Sequence, residues 1–167
     1  MDNLKIKEIK SDQNKEYKEF FTLGLINDEN NFRISPNDDL DALFPTKDRS
    51  DSFTLGAYLD NELAGIVSFE RDGEQREKLR HKGLLFRMYV SESFRGKGIG
   101  KKLVETLVQR VKAISDIEQI NLTVISDNEN AKGLYKKFGF ETFSIEQNAI
   151  KWKNNYFTEE QMVLRLK

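Results

Sequence analysis

Eight residues, Arg95 to Lys102, read "RGKGIGKK", with three glycines on alternate positions among four cations. Glycine lets a ligand reach bare backbone without a Cβ in the way, and the cations supply positive charge. "GLLFRMYV" runs directly upstream and is strand-like, while "LVETLVQRV" downstream has the apolar spacing of a helix. A helix start presents unpaired N–H groups and the positive end of the helix dipole. The junction therefore suits a phosphate or pyrophosphate. About thirty residues on, "NENAKGLYKKFGF" sets Asn128, Ala131, Leu134, Tyr135, Gly139 and Phe140 in a second group. Tyr135 offers a phenol that can donate a hydrogen bond. Asn128 suits either a ligand contact or a helix N-cap. Ala131, Leu134, Tyr135 and Phe138 also fit a core stripe.

Three loop patterns compete for the glycine run. The dinucleotide fingerprint G-x-G-x-x-G, begun at Gly96, needs glycine at 101 and meets Lys101. The P-loop ends G-K-[ST], but Lys102 follows Gly100-Lys101, and Arg95 stands where its first glycine belongs. The pattern [QR]-x-x-G-x-[GA] fits Arg95, Gly98 and Gly100 throughout.

The elements that must position these groups are legible around them. "LKIKEI" alternates as a first strand, and Ser11 or Asp12 can cap a helix carrying Tyr17, Phe20, Phe21 and Leu25. Pro36 suits the start of a second helix holding Leu40, Leu43 and Phe44, closed by Pro45. "SFTLGAYLD" and "ELAGIVSFERD" predict strands joined at an Asp60-Asn61 hairpin turn. A strand then enters the glycine loop, and a helix from about Gly98 to Ile114 leaves it. "INLTVI" is a further strand, followed by the Tyr135 helix with Gly139 at its C-terminal stop. "FETFSI", "NAIKWKN" and "EQMVLRL" read as more strands. The order is mixed α and β, with strand–helix–strand units in the second half.

Composition bounds the chemistry. The chain has 167 residues, 38% hydrophobic and 33% charged, which predicts one domain over 1–167 with its own core. No cysteine excludes disulfides, thiolate metal sites and a cysteine nucleophile. A single histidine, His81, argues against a histidine zinc site or a Ser-His-Asp triad, so no metal is expected. A net charge of −1 argues against nucleic-acid binding. No apolar run is long enough to span a bilayer and the start shows no signal-peptide pattern, so the expectation is cytoplasmic, with no membrane partner. Charge is uneven: residues 1–50 carry eight Lys/Arg against eleven Asp/Glu, while 91–112 carry six against two. A local positive field on an acidic chain suits a compact anionic ligand.

With both motifs in place, the chain resembles the GNAT superfamily of acyl-CoA-dependent N-acetyltransferases over roughly residues 53–166. "MYVSESFRGKGIGKKLVETL" is similar to its central strand, pyrophosphate loop and helix. "NENAKGLYKKFGF" is similar to its N-x-x-A-x-x-L-Y-x-x-x-G-F signature. The resemblance implies a mixed α/β (α+β) fold: a twisted, mostly antiparallel sheet of about seven strands flanked by about four helices. It also implies acetyl-CoA as co-substrate. Its pyrophosphate would lie on the amides of Arg95, Gly96, Lys97, Gly98, Ile99, Gly100 and Lys101. Met88 and Tyr89 would lie at the thioester carbonyl, at a bulge in the strand, with Val90 along the pantetheine arm. Asn128 would touch that arm and Tyr135 would face the departing sulfur. Proton transfer from a free tyrosine (pKa about 10) to a thiolate (about 8.5) is uphill by roughly 2 kcal/mol, which favours a hydrogen bond over full transfer.

The acceptor must shed a proton before attack, and some relatives in the superfamily place a glutamate four residues before the position of Met88. Leu84 stands there, and Glu70 is the weak substitute. Specificity in the superfamily comes mostly from the N-terminal helices and the loop between them, which points to Phe32 and Arg33. The acidic residues Asp28, Glu29, Asp38, Asp39, Asp41 and Asp48, with Glu19 nearby, suit a cationic amine. The resemblance thus implies acetyl transfer to a primary amine by direct attack, with a small-molecule acceptor favoured. A protein N-terminus or lysine as acceptor, or a non-catalytic acyl-CoA-binding module, are the alternatives. "EQMVLRL" can pair within the domain or across a homodimer.

Overall fold

Asp60 and Asn61 take φ of 51° and 69°, the left-handed pair that a two-residue hairpin turn requires. They join β2 (Ser52–Leu59) to β3 (Glu62–Arg71), and β1 (Leu4–Ile9) pairs antiparallel along the other side of β2. The computed structural model describes residues 3–167. The remaining strands are β4 (Lys82–Val90), β5 (Gln119–Ile125), β6 (Glu141–Trp152) and β7 (Asn155–Arg165). All seven form one mixed sheet in the order β1-β2-β3-β4-β5-β7-β6, in which only β4 and β5 run parallel.

Helices cover both faces of the sheet. On one face, α1 (Asn14–Asn27) packs Tyr17, Phe21 and Leu25 against Ile9, Leu63, Ile66 and Tyr89. On the other, α3 (Ile99–Lys112) buries Ile99, Leu103, Val104, Leu107, Val108 and Val111 in the larger core, which α4 (Glu129–Lys137) joins through Tyr135. These are the stripes their 3-4 spacing predicts. Among the described residues no helix is long and apolar enough to cross a membrane.

Two expectations are corrected. The second helix, α2, spans only Pro36–Asp39 and stops before Leu40, Leu43 and Phe44. Ser35 and Asp38 cap its start reciprocally, but Lys18 Nζ donates to the carbonyls of Asp39 and Leu40 at 2.7 and 3.0 Å. Those carbonyls need no further helical turn, and Leu40 and Leu43, 68% and 87% exposed, give a longer helix nothing to pack. The segments "FETFSI" and "NAIKWKN" are one strand, β6. Its register shifts between Glu146 and Ile150, where Asn148 takes φ 54°. A bulge absorbs the extra residues that break the sequence pattern.

Candidate active site

Along β4 the pairing to β5 covers only Lys82↔Gln119, Gly83↔Ile120 and Leu84↔Asn121. Beyond these rungs the strands part, leaving a slot between Leu85–Val90 and Leu122–Ile125. The other side of β4 is irregular too. Ser68 faces Phe86 and Ile66 faces Tyr89, so Arg87 and Met88 together oppose Val67. Arg87 takes φ 52°, a strained conformation for a side chain of its size. This is a β-bulge, and it sits at the residues expected to meet the thioester.

Side chains hold that bulge. The Arg87 guanidinium lies 4.8 Å over the ring of Phe21, and Nη1 stands 3.1 Å from Asp39 Oδ1 and 3.4 Å from the Tyr17 hydroxyl. The Asp39 contact is an ion pair by distance, although it is not aligned as a hydrogen bond. The Asp39 side chain is 2% exposed, so nothing else nearby offsets its charge as directly. Burial pushes the Tyr17 phenol up to about 12, with Arg87 pulling the other way.

At the end of β4 the chain makes a short 3-10 turn, Glu92–Phe94, and enters the glycine loop. Gly96 and Gly98 take φ of 76° and 75°, and a Cβ at either would meet nothing within 4 Å. Gly98 caps α3 without any side-chain hydrogen bond. The N–H groups of Phe94 and Arg95 bond within the 3-10 turn and that of Lys102 bonds to Gly98. Among the described residues those of Gly96, Lys97, Gly98, Ile99, Gly100 and Lys101 find no acceptor. Six free amides at an uncapped helix start, with open space above them, fit a pyrophosphate.

The charged side chains around the loop play unequal parts. Arg95 Nε donates to the Val90 carbonyl at 3.0 Å and its Nη2 pairs with Asp28, so its charge ties the loop to the end of α1. Lys97 lies 5.3 Å over the Phe94 ring, and Lys101 is exposed. Ile99 is 1% exposed and pins the first turn of α3 to the core. A Cβ on Gly100 would lie 3.3 Å from Met88 Cε, 3.3 Å from Leu134 Cδ2 and 3.8 Å from Val90 Cγ2. The loop, the bulged strand and α4 therefore converge beside the slot.

Tyr135 is 5% exposed and packs 5.7 Å from the Phe140 ring. Its hydroxyl bonds to none of the described residues, yet it is not one of the fully occluded unpaired atoms, so it borders open space. Burial pushes this phenol above the ordinary tyrosine range, so it keeps its proton at neutral pH. Asn128 is the N-cap of α4, accepting from Ala131 N–H at 3.2 Å. Nearby, Ser126 Oγ is buried without a hydrogen bond among the described residues.

Tyr89 points to the opposite face from Met88 and Val90, 4% exposed beneath Phe20 and Phe32 at ring distances of 5.2 and 6.2 Å. On that face lies a pocket of about 280 Å³ between the α1–α2 connection and the β6–β7 hairpin, lined by Phe32, Arg33, Trp152 and Phe157 among others. Phe32 and Arg33 thus stand together on one side of the sheet, and the loop amides and Tyr135 belong to the other. Glu70 is elsewhere. It faces Leu84 across the β3–β4 pair, about 13 Å along the strand from Met88, with Lys47 at 3.9 Å. Burial raises its carboxyl, with Lys47 opposing.

Sequence reasoning missed Arg87 and Glu159. Glu159 is 2% exposed and faces Arg33, while its neighbour Glu160 faces the other way, to Lys132 at 2.8 Å. The signal was "EE" inside the β7 pattern: adjacent carboxylates on opposite faces of a strand with a neighbour along each edge.

A slot in a seven-stranded sheet beside six unpaired amides is a shape that fits an extended ligand carrying a pyrophosphate. The chain matches the Acetyltransferase (GNAT) family over residues 11–140 and belongs to it. It is 30% identical over 88 residues to the spermine/spermidine N(1)-acetyltransferase of Bacillus subtilis (strain 168), a match spanning 52% of this chain and 58% of that protein. Its fold is that of the GNAT acetyltransferase from Streptococcus pneumoniae, at TM-score 0.84 and 23% identity over 99% of this chain and 100% of the other. A structure from Salmonella typhimurium, solved with its cofactor acetyl-CoA, superposes at TM-score 0.80 with 15% identity over 99% and 95% of the two chains.

Proposed function

We propose that the protein moves an acetyl group from acetyl-CoA to a primary amine of a small molecule, by direct attack in a ternary complex. The observation that carries this reading is the run of six amides without an acceptor from Gly96 to Lys101, beside the slot where β4 and β5 part. Those amides would hold the donor's pyrophosphate, and the slot would take its arm toward the bulge. Backbone N–H groups freed at a bulge can stabilise the developing oxyanion by about 3 kcal/mol each.

The neutral amine nitrogen forms a bond to the thioester carbon as the carbon–sulfur bond breaks, and the electron pair leaves on sulfur. Tyr135 donates a hydrogen bond to that sulfur as its charge grows. With its phenol held above the ordinary range, the residue donates the bond without giving up its proton. The amine's own proton passes to solvent. No cysteine exists to carry an acyl group, which supports direct transfer. The Bacillus relative, a polyamine acetyltransferase by name, supports a small-molecule amine acceptor.

Titrating coenzyme A into the protein should give a saturable heat, and coenzyme A release should require an added amine. Tyr135→Phe should lower kcat about 10- to 100-fold, the worth of one hydrogen bond to a charged group, and leave coenzyme affinity nearly unchanged. Binding without release against any amine would indicate an acyl-CoA-binding module. Release with peptides alone would indicate a protein acceptor.

A further inference from the structure

Two buried carboxylates near the acceptor-side pocket, Asp39 and Glu159, are left short of hydrogen bonds, and only Glu159 is covered by a side chain, Arg33, that lines the pocket. Among the acidic residues around it, Glu29 accepts from Trp152 Nε1 at 3.2 Å and from Lys153 Nζ at 2.9 Å. Asp38 is taken up by the Ser35 cap and Asp28 by Arg95, while Asp39 keeps an ion pair with the half-buried Arg87 without an aligned hydrogen bond. Glu159 differs. Its side chain is 3% exposed, yet among the described residues its only side-chain hydrogen bond comes from Arg33 Nε, 3.2 Å from Oε1. Oε2 lies 3.1 Å from the same nitrogen but makes no aligned hydrogen bond, and it is fully occluded. A buried carboxylate ordinarily gathers several donors, because leaving one short of them is costly. Burial raises its carboxyl accordingly, with Arg33 opposing and Glu146 adding to the rise.

Its cover is a surface side chain. Arg33 is 67% exposed, lines the pocket, and has no second carboxylate among the described residues. Phe157, two residues earlier on β7, lines the same pocket, so strand alternation carries Glu159 along that face toward β5. There Glu159 stands opposite Ile125, the last paired residue of β5. The slot opens on the other side of that strand, about 5 Å away at the usual strand spacing. On its other side, toward the β6–β7 hairpin, Glu159 adjoins the pocket, whose walls mix Phe32, Trp152 and Phe157 with Glu29, Asp38 and Lys151. An aliphatic diamine would set one nitrogen in the slot and a second, charged one at Glu159.

Building on the acetyltransferase reading, we infer that Glu159 is the anchor for the second, unreacted ammonium of a diamine or polyamine acceptor, and that Arg33 holds its place until the acceptor arrives. The exchange of one cation for another keeps the carboxylate paired throughout, and the acceptor's ammonium brings three donors where Arg33 supplies one aligned bond.

The test compares butane-1,4-diamine with butylamine. In Glu159→Gln the ratio of kcat/KM for diamine over monoamine should fall at least about tenfold, through KM, with KM for acetyl-CoA unmoved. Arg33→Ala, which removes the competing cation, should lower the diamine KM. A ratio unchanged in Glu159→Gln, or a diamine KM that rises alike in both variants, would overturn the assignment and leave the pair as packing. Calorimetry with the diamine, in wild type and Glu159→Gln, reads the anchor without turnover. Heat present in the first and lost in the second supports it even if no acetyl transfer is seen, and equal heats refute it. Acetylation of butylamine by wild type reports separately on the enzyme reading.

Discussion

Gly98 adopts a left-handed backbone at the head of α3, where no neighbouring atom would obstruct a Cβ. The cost of Gly98→Ala is therefore conformational, about 1–2 kcal/mol, with no clash added. Chemical denaturation should show that loss. Calorimetry should show a larger loss in coenzyme A affinity, because the new methyl stands over the free amides. This loop was legible in the sequence because glycine spacing states a backbone requirement directly. Tyr135 and Asn128 were legible as positions, but their hydrogen bonds were not. Asn128 proves to be a cap, and the Tyr135 hydroxyl has no hydrogen-bond partner among the described residues. Glu159 escaped notice because one letter of sequence carries no record of how few donors surround it.

Among the elements, the bulged end of β4 depends on a side chain from the far face. Arg87 holds a strained φ while its guanidinium meets a buried carboxylate of α2. Arg87→Ala removes the partner of a charge that stays buried, so it should destabilise by about 3 kcal/mol or more. The Arg87→Ala/Asp39→Ala pair should cost less than the sum of the two single changes, measured as a double-mutant cycle. The strands around this bulge follow from alternation and turn residues, and they appear where expected. The bulge itself does not, since "LFRMYV" alternates too weakly to reveal which residue is extra. The shortened α2 has the same origin. Leu40 and Leu43 fit a helical pattern, but the Lys18 contacts that end it come from another helix.

At the scale of the whole molecule, the cores on both faces hold a buried phenol that responds to alkali. Tyr17 on the α1 face has its phenol pushed up to about 12 from an ordinary 10.0. The folded state therefore keeps a proton that the unfolded chain loses. The resulting stabilisation is complete below pH 10 and fades as pH rises from 10 toward 12. Between pH 8 and pH 11 the loss from this group is about 1.4 kcal/mol. Denaturation of Tyr17→Phe beside wild type should show a pH dependence shallower by that amount. Tyr135 on the α3 face is displaced in the same direction, by burial alone. The seven-stranded topology was legible in outline from the order of elements. The meeting of two faces at one slot was not, because it depends on where a parallel pair stops.

That stopping point has a mechanical side. Among the described residues three rungs stitch β1–β4 to β5–β7 within the sheet, and apolar packing under α3 and α4 joins them elsewhere, with the Arg71–Asp116 ion pair at 2.9 Å. The sheet is weakest along its midline. On the proposed reading, the amide-bearing arm of the donor would lie in that seam like a borrowed strand and knit the halves together. The enzyme would then be stiffest at the moment its chemistry takes place, and loosest when it must let the spent thiol go.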